Sequence, residues 1–145
     1  MNRLIATFLL ALGLAASPAF AQSDFQRHAL TVDMLQKYKA ASLDLKKSIK
    51  KKDDGGDKDG MTTDELVKEL DATPGVKPIL AKHGMTSRSY ALTTLALFQA
   101  GFYLMMESSM DKKKGAELLA SYPAETRGNI ALLRKNPQLL KGMED

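Results

Sequence analysis

The side chains in this sequence that could do chemistry are few and widely spaced. There is no Cys, which excludes disulfides, thiolate metal sites, nucleophilic thiols and lipid-modified cysteine. The two histidines, His28 and His83, fall in separate segments. No G-x-S-x-G motif accompanies them, and Ser87 and Ser89 are better placed to cap a helix than to attack a carbonyl. Glu107, Glu117 and Glu125 are carboxylates that folding could bring together for glycoside cleavage, but no spacing selects them. No residue is therefore assigned a catalytic role, and a small periplasmic hydrolase using carboxylates stands as an alternative only.

Two groups of residues invite a metal reading. The acidic run Asp53 to Gly60 carries oxygen ligands and glycines, as a calcium loop does. Its register fails. With Gly60 at the glycine position of a 12-residue loop, the first and last ligand positions fall on Gly55 and Leu66; with Glu65 last, the glycine position falls on Asp59 and the fifth on Lys58. Met105, Met106 and Met110 offer thioethers of the kind that bind Cu(I), so a copper-handling protein is the second alternative. Only Met106 and Met110 share a helix face, however, and methionine also fills apolar gaps. The expectation is no metal and no cofactor.

Binding has better candidates. Thr86, Ser87 and Arg88 begin a helix whose free amides, with Lys82 and His83 nearby, could hold an anion. Lys46, Lys47, Lys50, Lys51 and Lys52 crowd the end of another helix and could engage a protein partner. Tyr90, Phe98, Phe102, Met105 and Met106 could line a pocket for a small apolar ligand between helices. The segment 79–90 has the cadence of a helix-turn-helix, but its second helix lacks a polar recognition face beyond the first turn. A net charge of +4, from 21 Lys plus Arg against 17 Asp plus Glu, is also too small for a dedicated nucleic-acid surface.

The elements that must position these residues are helices. Leu35, Tyr38, Ser42, Leu45 and Ile49 recur at helical spacing after Thr31, predicting a helix that runs to about Lys52. The glycine-rich acidic stretch 53–61 should interrupt it as a mobile loop. Thr62 and Glu65 have capping-box spacing before a short helix. Pro74 restarts the chain, with Pro78 marking where regular helix begins, and Gly84 closes that piece as a left-handed cap. Thr86 or Ser87 then opens the longest helix, to about Met110. Ser89 to Met106 contains no charged residue, and its large apolar side chains cover every side of the helical wheel. Such a helix should be enclosed by neighbours. Thr93, Thr94 and Gln99 within it speak against a membrane span. A short helix carrying Leu118 and Leu119, one opened by Pro123, and a last turn after Asn136-Pro137 complete an all-α, single-domain orthogonal bundle of about five to seven helices over 31–145.

The amino terminus reads as an address. Arg3, the apolar stretch Leu4 to Ala16 and the small-x-small Ala19-Phe20-Ala21 form a secretory signal over 1–21, too short in its apolar part for the roughly 20 residues of a bilayer span. With no twin arginine, export is of the Sec type, to the periplasm or the medium, and 22–30 is expected to be a flexible start. Leu30-Thr31-Val32-Asp33-Met34 resembles the LTxxQ box of stress-induced periplasmic chaperones, with Met34 in the glutamine position; the resemblance implies protein binding. The functional expectation is an exported, non-catalytic binding protein for a protein partner or a small apolar ligand, with no nucleic acid and no stable membrane span. Amino-terminal sequencing of the secreted protein should begin at Gln22; a chain that starts at Met1 after export contradicts this.

Overall fold

A computed structural model describes residues 23–49 and 61–141. Among these the chain is all-helical and forms one small domain. The elements are a 3-10 turn Asp24–Arg27, α1 (Val32–Ser48), α2 (Thr63–Ala72), α3 (Val76–Lys82), α4 (Ser87–Glu107), α5 (Lys112–Ser121), α6 (Ala124–Lys135) and a closing 3-10 turn Pro137–Leu139. The expected acidic loop and Lys50, Lys51 and Lys52 lie outside the described residues, as does the signal segment.

The helix boundaries follow from capping chemistry. Thr31 caps α1 through its side-chain oxygen, which accepts from the Met34 amide. Thr62 and Glu65 form the expected capping box on α2, and Thr86 and Ser89 form another on α4. α1 ends at Ser48, short of Lys52, because Ile49 turns extended and packs on the core. α3 starts at Val76, two residues before the proline that was to mark its beginning. Pro78 is tolerated there because the first helical positions have no amide partner within the helix. Gly75 and Gly84 adopt φ of 86° and 68°, which side chains with a Cβ rarely allow. At Gly84 the amides of Gly84 and Met85 reach back to the carbonyls of Ala81 and Leu80, and buried Met85 and Leu80 belong to the same core cluster.

α4 is the central helix. It packs against α6 and α2 and also meets the first 3-10 turn, α1 and α3. Its buried positions are Ala91, Thr93, Ala96, Leu97, Ala100 and Tyr103. Most of them are small, which lets neighbouring helices come close. The core is completed by Leu30, Leu35, Tyr38, Ala41, Val76, Leu80, Met85, Ile130 and Leu133. The enclosure expected from the sequence is one-sided, however. Phe98, Phe102, Met105 and Met106 are exposed, Phe98 at 66% and Met105 at 64%. Phe98, Phe102 and Met105 follow at i, i+4 and i+7, so they form one stripe that no described helix covers.

The stretch expected to be a flexible start is fixed from residue 24 onward. Leu30 is buried, and the Asn129 side chain on α6 binds both its amide, at 2.7 Å, and the His28 carbonyl, at 2.8 Å. Thr126 donates to the Gln26 carbonyl at 2.8 Å. These long-range bonds close a loop that apolar periodicity does not reveal. Asn129→Leu would remove both partners from buried backbone groups at a cost of about 2 to 3 kcal/mol. The expected outcome is a lower urea midpoint together with faster proteolysis within residues 24–30; unchanged cleavage there would show that the clamp does not hold the segment.

Candidate functional site

Along the exposed stripe of α4 the fold leaves a groove of about 640 Å³. Its floor is Leu95, Phe98, Gln99 and Phe102 of α4, with Tyr122 beyond the end of α5. One wall is Ser23, Asp24 and Phe25 at the first 3-10 turn, and the other is Met61, Thr62, Thr63 and Asp64 at the start of α2. The Phe98 and Phe102 rings stack, with centroids 6.2 Å apart and planes inclined by 22°. Tyr122 meets Tyr103 edge-on, at 6.0 Å, and burial pushes its hydroxyl pKa upward. The apolar lining is therefore largely aromatic, with Phe98 and Phe102 held on α4.

The two walls are tied together at the amino-terminal end of the floor. Arg88, in the first turn of α4, donates to Asp64 at 2.9 Å from one guanidinium nitrogen and to Asp24 from the other. One side chain thus fixes the spacing of the 3-10 turn and α2. The groups are half-exposed or more, so the bridge sets geometry more than stability. Thr62, also on the wall, has its amide and hydroxyl both turned to Glu65, at 2.8 and 2.9 Å. Those bonds hold the Glu65 carboxyl below its ordinary pKa.

The five residues expected to share one apolar pocket divide. Phe98 and Phe102 line the groove, whereas Met105 and Met106 are exposed on α4 and do not. Tyr90 faces α1: its ring stacks on Tyr38 at 4.7 Å and its hydroxyl lies 2.9 Å from that of Ser42. Burial raises the Tyr90 pKa. The split is geometric, since Tyr90 and Phe98 lie eight residues apart on one helix, and residues on α1 fill the space beside Tyr90.

At the anion site expected from Lys82, His83, Thr86, Ser87 and Arg88, the protein's own acids pair with the side chains. Lys82 and His83 both bind Asp44, at 2.9 and 2.8 Å. Ser87 donates to Asp71 at 2.6 Å, Arg88 is held by Asp24 and Asp64, and the Thr86–Ser89 capping box meets the amides of Thr86 and Ser89. Four acidic partners, Asp24, Asp44, Asp64 and Asp71, invisible as a pattern in sequence, occupy these side chains. Lys46 and Lys47 are exposed at the end of α1. Of the other candidates, Glu107 pairs with Arg134 at 2.7 Å. Among the described residues no group of three His, Asp or Glu could hold a metal, and no helix is long and apolar enough to cross a membrane.

Residues missed in the sequence are Phe25, Met61, Leu95, Gln99 and Tyr122 of the groove and the Asp24–Arg88–Asp64 bridge. Phe25 sits in the segment read as flexible. The stretch that resembles an LTxxQ box has local structural work: Leu30 is core and Thr31 is the α1 cap. In comparisons with known proteins, no family model, curated protein or solved structure matches this chain.

Two titrations report on how the site is braced. His28 Nε2 lies 3.2 Å from Thr93 Oγ1, which spends its own proton on the Ser89 carbonyl, so the imidazole N–H donates. Burial lowers the His28 pKa below 6.5. Its stabilising contribution is then complete above pH 6.5 and is lost as the pH falls towards the lower folded value. The hydrogen bond from Lys82, and next that from His83, holds the Asp44 carboxyl at about 2 instead of 3.8. That contribution is complete above 3.8 and lost as the pH falls towards 2. His28→Gln should flatten the stability curve just below pH 6.5, and Asp44→Asn should flatten it only in the lower window. Urea midpoints measured against pH check both, and an unaltered slope in either window counts against the corresponding bond.

Proposed function

We propose that this is an exported, non-catalytic binding protein that holds a small apolar molecule in the groove over α4. The observation that carries the reading is the stacked pair Phe98 and Phe102, exposed on the central helix yet flanked by two walls. Large aromatic side chains left in water on a helix of this kind are a binding surface by default. A volume of about 640 Å³ lies within the range of ligand pockets, roughly 300 to 1,000 Å³. Apart from Gln99 on the floor and the Tyr122 hydroxyl, the polar side chains stand on the two walls, which suits orientation of a ligand whose affinity comes from apolar contact. Export rests on Arg3, Leu4 to Ala16 and Ala19-Phe20-Ala21.

A protein partner at the lysine-rich end of α1 is the second reading, supported by the exposure of Lys46 and Lys47. It lacks a shaped surface of its own, so the groove is preferred. Titration with the uncharged fluorophore N-phenyl-1-naphthylamine should give a saturable fluorescence increase at one site per chain. Phe98→Ala and Phe102→Ala should each weaken it by about tenfold, the effect of removing roughly one buried aromatic contact surface. Met105→Ala, off the groove, should change it little. No saturable binding, or equal loss in all three variants, would overturn the reading.

A further inference from the structure

The groove has a charge preference as well as an apolar floor. Among its lining residues are two carboxylates, Asp24 and Asp64, one on each wall, and no Lys, Arg or His. Glu65 stands immediately behind the wall, bound to Thr62. Among the described residues the one cation paired with these acids is Arg88, and it bridges Asp24 and Asp64 together. Among the described residues, two lining carboxylates against one guanidinium leave a net negative charge at this end of the groove, although the whole chain carries +4. Charges elsewhere on the surface act over only about 8 to 10 Å at ordinary ionic strength, so the local excess decides what enters.

At Thr62 the wall has nothing to offer an anion, because both donors of that residue are already spent on Glu65. A cation needs acceptors and π faces. Asp24 and Asp64 keep unoccupied lone pairs towards solvent, with side chains 57% and 86% exposed, and the Phe98 and Phe102 rings offer faces to an ammonium group. Resting on the reading of the groove as an apolar ligand site, we propose that its ligand is a cationic amphiphile, an apolar body bearing an amine or quaternary ammonium group, with the body over Phe98 and Phe102 and the charge at the solvent-facing carboxylate oxygens beside the Arg88 bridge.

Isothermal titration of the secreted protein with three probes of equal chain length, each below its micelle concentration, tests this. The probes are dodecyltrimethylammonium, dodecanoate and the uncharged dodecyl maltoside. At low salt the ammonium should bind at least about fivefold more tightly than dodecanoate, with the gap closing as salt is raised. Asp64→Asn, at an exposed position, should narrow the gap by about half or more on a logarithmic scale, read for each charged probe as its affinity relative to dodecyl maltoside so that a change in groove width, which all three probes feel, cancels. Phe98→Ala should weaken all three. Dodecanoate binding as tightly as the ammonium, or a preference that survives Asp64→Asn unchanged, overturns the charge inference and leaves the groove reading standing. Failure of all three probes to bind overturns both, as does ammonium binding that is indifferent to Phe98→Ala.

Discussion

Ala91, Ala96, Ala100 and Thr93 place the backbone of α4 against its neighbours with almost no side chain between, and the remaining architecture follows from that close approach. α6 and α2 pack on α4, with further contacts from α1, α3 and the first 3-10 turn. Small residues at such contacts bring helices together and leave little void. The apolar content that this side lacks is supplied by the partners: Leu35 from α1, Leu80 from α3, and Ile130 and Leu133 from α6 are fully or almost fully buried. Tyr103 extends the arrangement to α5, donating to the Gly115 carbonyl at 3.0 Å. A larger side chain at Ala96 or Ala100 would push the neighbouring helices outward and disturb every element at once.

The same arrangement explains the groove. With mostly small residues turned inward beside Leu97 and Tyr103, Phe98, Phe102 and Met105 fall on the outer side of α4, and the chain lacks a further described helix to cover them. The 3-10 turn and the start of α2 stand at the edges of this stripe without closing over it. Arg88 holds them apart at a fixed distance because its planar guanidinium presents two donors in opposite directions, which a lysine could not do with the same geometry. Binding surface and packing surface are therefore two sides of one helix, and the composition of each side is determined by the other.

Buried polar groups give the fold its specific connections. Asn129, Thr126 and Thr93 are buried, and each meets a partner in the chain leading into α1: Asn129 at residues 28 and 30, Thr126 at residue 26 and Thr93 at His28. No buried side-chain polar atom among the described residues lacks a partner. Apolar contacts alone would tolerate several placements of such a short segment, whereas satisfied hydrogen bonds at defined atoms allow one. This placement also puts Asp24 and Phe25 on the wall of the groove.

Helix positions were legible from local chemistry. Thr31, Thr62–Glu65, Thr86–Ser89, Gly84 and Asn136-Pro137 mark ends by interactions within a few residues, and those signals survive folding because their partners travel with them. The absence of charge from Ser89 to Met106 likewise identified the central helix. What periodicity could not supply was which side of that helix would be covered, since a helix apolar all round gives no direction to its neighbours. Nor could it pair Arg88 with Asp24 and Asp64, Asp44 with Lys82 and His83, or Asn129 with the segment before α1, because these partners lie tens of residues apart and carry no common pattern. The sequence by itself determined a capped set of helices around a neutral one; the tertiary structure decided which aromatic rings remain in water and which acids stand beside them, because both depend on the packing of segments distant along the chain.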